Sequence, residues 1–145
     1  MTEEQNQNYY IWSIEHQAWW KQAWRGYTAY IAEAGVYDRL EANAILSDAN
    51  LVRTEEVKIP VNQIGTFIGR GIEELDLYLI WNLIRQGWRN FQHYYADSLE
   101  AGLFKKESGE KILKRMNEVH TTEVLIPLIS VVREENNGSE ISTTG

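Results

Sequence analysis

Six tryptophans and eight tyrosines in 145 residues, with no cysteine, constrain this chain more than any other feature. Rings of that size either fill a core or build a surface that stacks on something. The lack of cysteine removes disulfides, thiolate catalysis and cysteine-ligated zinc together. The core must hold by packing alone, which a chain of this length can do. A cysteine-free chain fits a reducing cytoplasm.

The rings are concentrated early. Residues 9–14, YYIWSI, are aromatic and β-branched, as a strand prefers. A second cluster fills 17–32, with Gly26 marking a turn or bulge into a second strand. Asp38 and Glu41 have capping-box spacing. A helix follows, with Leu40, Ala44, Ile45 and Ala49 on one face, and Asn50 suits a left-handed stop. Val57, Ile59 and Val61 alternate as a short strand, and Pro60 makes it an edge strand. Residues 9–62 thus read as one aromatic-rich sheet-plus-helix module after a frayed 1–8.

From Ile64 the spacing changes. Ile64, Ile68, Ile72, Leu75, Leu79 and Leu83 form a stripe at three-to-four-residue intervals, continued by Ile84, Trp88, Phe91, Tyr95, Leu99 and Leu103. This predicts an amphipathic helix of about 30 residues, or two helices kinked near Gly87. Such a helix spans roughly 45 Å, longer than so small a domain, and implies a homodimer or larger assembly. Ser108 is positioned to cap a shorter helix with Ile112, Leu113 and Met116 inward, and 123–132 ends the chain's ordered part as a strand. The segments 57–60 and 124–127, VKIP and VLIP, look alike, but four residues are too few to establish a repeat. The polar tail 134–145 reads as disordered. The fold class is therefore α+β: a small antiparallel sheet with one helix, then a long helix and a shorter one.

Net charge is −7, which argues against a general nucleic-acid binder. No apolar run approaches the roughly 20 residues of a membrane helix, and the acidic start is not a signal peptide. Catalytic equipment is sparse. Glu15 and His16 look like an acid–base pair, but strand neighbours point to opposite faces. The same alternation sends one of Trp19 and Trp20 inward and the other outward. His16, His93 and His120 have no partner at metal-ligand spacing, so neither metal nor cofactor is expected. Gly69-Arg70-Gly71 lacks a complete phosphate-loop pattern, although a helix N-terminus beside Arg70 offers a place for a phosphate. Arg85 and Arg89, at i and i+4, form a basic face on the expected long helix. A ligand platform would combine His16, Trp19, Trp20 and Tyr27 with Arg25, Arg70, Arg85 and Arg89.

The string Ile11-Trp12-Ser13-x-Glu15-His16-x-Ala18-Trp19-Trp20, with Gly26-Tyr27-Thr28, Ala34-Gly35-x-Tyr37, Ala49-Asn50 and Ile59-Pro60-Val61, resembles short phage and prophage proteins with an IWSxEHxAWW…GYT…AGxY…AN…IPV module. The resemblance covers 9–62 and implies a phage setting rather than a chemistry. In size and layout the chain is also similar to the Thoeris anti-defence sponge proteins of phages, which sequester a cyclic ADP-ribose-type signal without cleaving it. The resemblance implies a non-enzymatic, dimeric nucleotide binder in the cytoplasm of an infected bacterium. The alternatives are an inhibitor that binds a host enzyme, a small nucleotide-processing enzyme and a structural phage component.

Overall fold

The computed structural model describes residues 7–64, 76–92, 95–96 and 100–132. Its first sheet is built on β1 (Asn8–Ser13). Along one side β1 pairs with β5 (Glu56–Pro60), from Tyr9↔Pro60 to Ser13↔Glu56. Along the other it pairs with β2 (Ala18–Trp20) and with β4 (Tyr37–Asp38). The short β3 (Tyr27–Thr28) lies beyond β2. Helix α1 (Arg39–Ala49) packs across β1 and β5.

The second sheet repeats this plan. β6 (Tyr78–Asn82) pairs with β9 (Glu123–Pro127), from Tyr78↔Pro127 to Asn82↔Glu123, and with β7 (Gly87–Arg89). β8 (Tyr95–Ala96) lies beyond β7. Phe104 bridges to Tyr78 as Tyr37 pairs with Tyr9. Helix α2 (Lys106–Met116) packs on β6 and β9 as α1 does on β1 and β5. All the strand pairs are antiparallel. The register aligns YYIWSIEHQAWW (9–20) with YLIWNLIRQGWR (78–89), and EVKIP with EVLIP. The chain is thus α+β, made of two copies of one sheet-plus-helix module.

This corrects the long-helix expectation. Residues 78–82 and 87–89 are strands joined by a tight turn, and Gly87 lies in β7 rather than at a helix kink. Other parts of that expectation, 65–75, 93–94 and 97–99, lie outside the described residues, as does the tail from 133. Leu79, Ile80 and Trp81 are all buried, so neither face of β6 shows polar alternation. The terminal strand stops at Pro127 and turns into a 3-10 segment, Leu128–Ser130. Among the described residues no helix is long and apolar enough to cross a membrane.

The two sheets face each other across one core. Tyr10, Trp12, Trp19, Val57 and Ile59 from the first meet Leu79, Trp81, Trp88, Val124 and Ile126 from the second. The Trp12–Trp19 and Trp81–Trp88 pairs have the same geometry, 4.9 Å and 68°. Each module also holds the other by a tryptophan. Trp19 Nε1 donates to Ser130 Oγ, and Trp88 Nε1 donates to the Gln63 carbonyl, both at 3.2 Å. The second module therefore covers the apolar face of the first, and the helix length that was the reason to expect a homodimer falls away.

The two helices differ between the modules. Asp38 caps α1 with the full capping box to Glu41, as its sequence predicts. α1 buries Ala42 and Ile45, whereas Leu40 is exposed, and Asn50 ends it at φ −100° rather than in the left-handed region. The N-cap of α2 is Lys105, whose side chain makes no cap bond; Ser108 lies inside the helix. Ala42 corresponds to Gly109, where an added Cβ would lie 2.5 Å from Leu125. Leu125 stands where the first module has Lys58, so the larger apolar residue on β9 is matched by the loss of a methyl on α2.

Two outcomes follow from this packing. Trp88→Ala should cost about 3–5 kcal/mol and lower both modules in one transition. Coincident urea curves by fluorescence and by helical circular dichroism check this, and separated curves would contradict a shared core. Lys105→Asp, at a backbone already extended for capping (φ −72°, ψ 155°), should raise stability by about 1 kcal/mol in the same assay.

Candidate binding face

The β1–β2 turn orients the first functional ring. Gln17 sits at φ +52°, and its side-chain amide donates to the Ile14 carbonyl at 2.7 Å, closing the turn. Ser13 Oγ accepts the His16 backbone N–H and contacts His16 Nδ1, both at 3.1 Å. The imidazole then lies flat on Tyr27, 3.9 Å between centroids at 17°. The β6–β7 turn repeats the device with Gln86 at φ +57°, while Asn82 Oδ1 accepts the Ile84 and Arg85 N–H groups.

Trp20 stands at the centre, half-buried, edge-on to Tyr27 and Trp24 at 6.0 Å and to Tyr37 at 6.3 Å. Trp24 is 62% exposed. It and Ala23 adopt consecutive left-handed conformations, φ +60° and +57°, which non-glycine residues avoid at a cost of roughly 1–3 kcal/mol each. Tyr37 holds this loop: its hydroxyl accepts the Trp24 N–H and donates to the Lys21 carbonyl. Gly26, at φ +107°, lets the chain return so that Lys21 N–H reaches the Gly26 carbonyl. The loop thus keeps a large apolar ring in solvent by means of a strained backbone.

Beneath the rings lies Glu56, 7% exposed. Asn50 fixes its backbone, accepting the Glu55 and Glu56 N–H groups and donating to the Glu56 carbonyl. Trp20 Nε1 donates to Glu56 Oε1 at 2.8 Å. Burial pushes the carboxyl up to about 7; the Trp20 bond opposes this, and Glu55 and Glu15 add to it. Burial, then Glu56 and Glu15, also raise the Tyr27 hydroxyl.

The second module holds the same positions with different chemistry. Asn82, Arg89, Tyr95 and Glu123 stand where the first has Ser13, Trp20, Tyr27 and Glu56. There Arg89 Nε meets Glu123 Oε1 at 3.2 Å and Arg89 Nη2 meets Oε2 at 3.3 Å, with both residues buried. Asn82 Nδ2 and the Tyr95 hydroxyl also donate to Oε2. Burial and the neighbouring Glu123 raise the Tyr95 hydroxyl.

Of the residues expected to bind, His16, Trp20 and Tyr27 come together, and Arg25 is exposed at the end of the Trp24 loop. Trp19 is fully buried in the shared core and is no platform. Arg85 is exposed at the second turn, in the place of His16, and Arg89 is committed to Glu123, so the two share no helical face. Arg70 lies outside the described residues. Glu15 and His16 occupy the turn itself rather than opposite faces of a strand. Trp24 and Glu56 are additions. The matching of EVKIP with EVLIP points to Glu56 only once the two sheets are aligned, and no local pattern marked Trp24.

Among the described residues no three His, Asp or Glu side chains are placed to hold a metal ion. The rings line neither of two clefts, of about 350 and 340 Å³, that lie against α2. The face is therefore aromatic, with Glu56 beneath the rings and Glu15 and Glu55 close enough to act on its charge. Comparison of the chain with family models, characterised proteins and solved structures gave no match.

The Glu56 shift has a consequence for stability. The native carboxyl keeps its proton to about 7 against an ordinary 4.5. The folded state holds more protons than the unfolded chain between those values, so stability falls as pH rises through that window. Glu56→Gln should flatten the fall, read as urea midpoints at about pH 5 and about pH 8. An unchanged slope in the variant would place the titration elsewhere.

Proposed function

We propose that this chain is a non-catalytic binding protein that grips a protein partner through the face formed by His16, Trp20, Trp24 and Tyr27. In the phage–host setting implied by its first module, the partner is a host enzyme in the bacterial cytoplasm, held inhibited. The observation that carries this reading is Trp24, kept 62% exposed by a strained loop. A backbone cost kept for an exposed ring is characteristic of function rather than stability, and exposed tryptophan and tyrosine are the usual anchors of protein interfaces. The carboxylates of Glu15, Glu55 and Glu56 at the rings favour a protein over a phosphate-bearing ligand.

A photo-cross-linking residue at position 24 should capture a discrete host protein. The same residue at Val119, 82% exposed and on the other module, should not. Trp24→Ala and Tyr27→Ala should each weaken the purified complex about thirtyfold, the effect of a 2 kcal/mol hot spot. Equal capture from both positions would sink this reading.

The stacked His16–Tyr27 pair favours a second reading, in which the face sequesters a nucleotide-type signal such as a cyclic ADP-ribose, with Arg25 as the phosphate contact. Calorimetric titration with cyclic ADP-ribose isomers tests it. Heat that disappears in Tyr27→Ala would select it over the protein partner, and absence of heat would remove it.

A further inference from the structure

We infer that Glu56 is the receptor for an arginine side chain supplied by the partner protein. This rests on the binding-face reading above and names the chemistry at its centre. The second module contains the answer to what this carboxylate position takes, because there it is occupied. Glu123 carries a guanidinium on both oxygens, with the Tyr95 ring 5.7 Å from the guanidinium carbon. In the first module the carboxylate and the tyrosine are kept, as Glu56 and Tyr27, while the arginine has become Trp20. The indole supplies one donor where the guanidinium supplies two, so Oε1 is satisfied and Oε2 takes no hydrogen bond from a described residue.

Glu56 as a residue keeps 7% of its surface exposed. Two of the chain's own cations on this side are engaged elsewhere. Arg53 lies 3.4 Å from Glu55, and Lys58 donates to Asn43 and covers the Tyr9 ring. Glu15 and Glu55 add negative potential around the opening. A guanidinium entering beside Trp20 would find a free carboxylate oxygen, the Tyr27 ring and the indole edge. A lysine ammonium would meet the same charge but has no planar guanidinium to lie against the Tyr27 ring.

The probe is N-acetyl-arginine-N-methylamide, with the matched lysine derivative beside it, followed through the Trp20 indole N–H resonance. The arginine derivative should shift that resonance saturably. The lysine derivative and the Glu56→Gln protein should each bind about tenfold more weakly, the worth of one charge-assisted hydrogen bond. Trp20→Arg, which rebuilds the Arg89–Glu123 pair in the first module, should fold and abolish capture of the partner by its own internal occupant. If that variant does not fold, Glu56→Gln decides. An unmoved Trp20 resonance, equal response to lysine, or unchanged binding by Glu56→Gln would overturn the assignment. Any of these outcomes, with partner capture at position 24 intact, would overturn the arginine assignment alone and leave the binding face standing.

Discussion

Everything in this structure depends on two sheets covering each other's tryptophans. Trp12 and Trp19 on one side and Trp81 and Trp88 on the other have no exposed area beyond a trace. Helix α1 does not shield Trp12 and Trp19, since it lies on the opposite face of its sheet, against Tyr9, Ile11 and Tyr37. The reciprocal bonds from Trp19 to Ser130 and from Trp88 to Gln63 give this contact direction as well as area. Its cost is also symmetric: Trp12 Nε1 and Trp81 Nε1 are both buried without a partner among the described residues. Two matching orphans at matching positions belong to the design of the module, not to an accident in one copy.

A duplicated fold lets one copy hold still while the other changes. In the second module the glutamate under the sheet is neutralised by arginine, tyrosine and asparagine, and the set is locked inside. Replacing one partner of such a pair leaves a buried charge, which is why that arrangement resists change. In the first module the arginine is gone, and the carboxyl instead keeps its proton to about 7 beneath exposed rings. The contrast identifies the first copy as the one open to the outside. The proposed arginine receptor would restore there, between molecules, what the second copy does within itself.

Much of the first module was legible in the sequence. The capping box at Asp38 and Glu41, the edge position of Pro60 and the opposite fates of Trp19 and Trp20 all follow from local rules that tertiary contacts did not override. The second module was not, for two physical reasons. β6 is buried on both faces, so Tyr78–Asn82 shows a continuous apolar run that carries no strand period. The β6–β7 turn uses Gln86 in a left-handed conformation, where glycine or asparagine would have announced it. The repeat itself was visible as YYIW…Q.WW against YLIW…Q.WR, but only once β-pairing set the alignment, because the copies differ by a two-residue offset between Trp20 and Gly35. Of the binding face, the ring cluster was readable and Glu56 was not. A carboxylate's environment depends on what a distant strand places over it.

The placement of β9 bears on how the chain is born. Val124, Ile126, Leu128 and Val131 supply the last portion of the common interior. Trp81 and Trp88 can face Trp12 and Trp19 before these residues join, but the interior then lacks its last apolar positions. A product cut short before β9 would leave β6 without its five-residue partner strand and part of the tryptophan core uncovered.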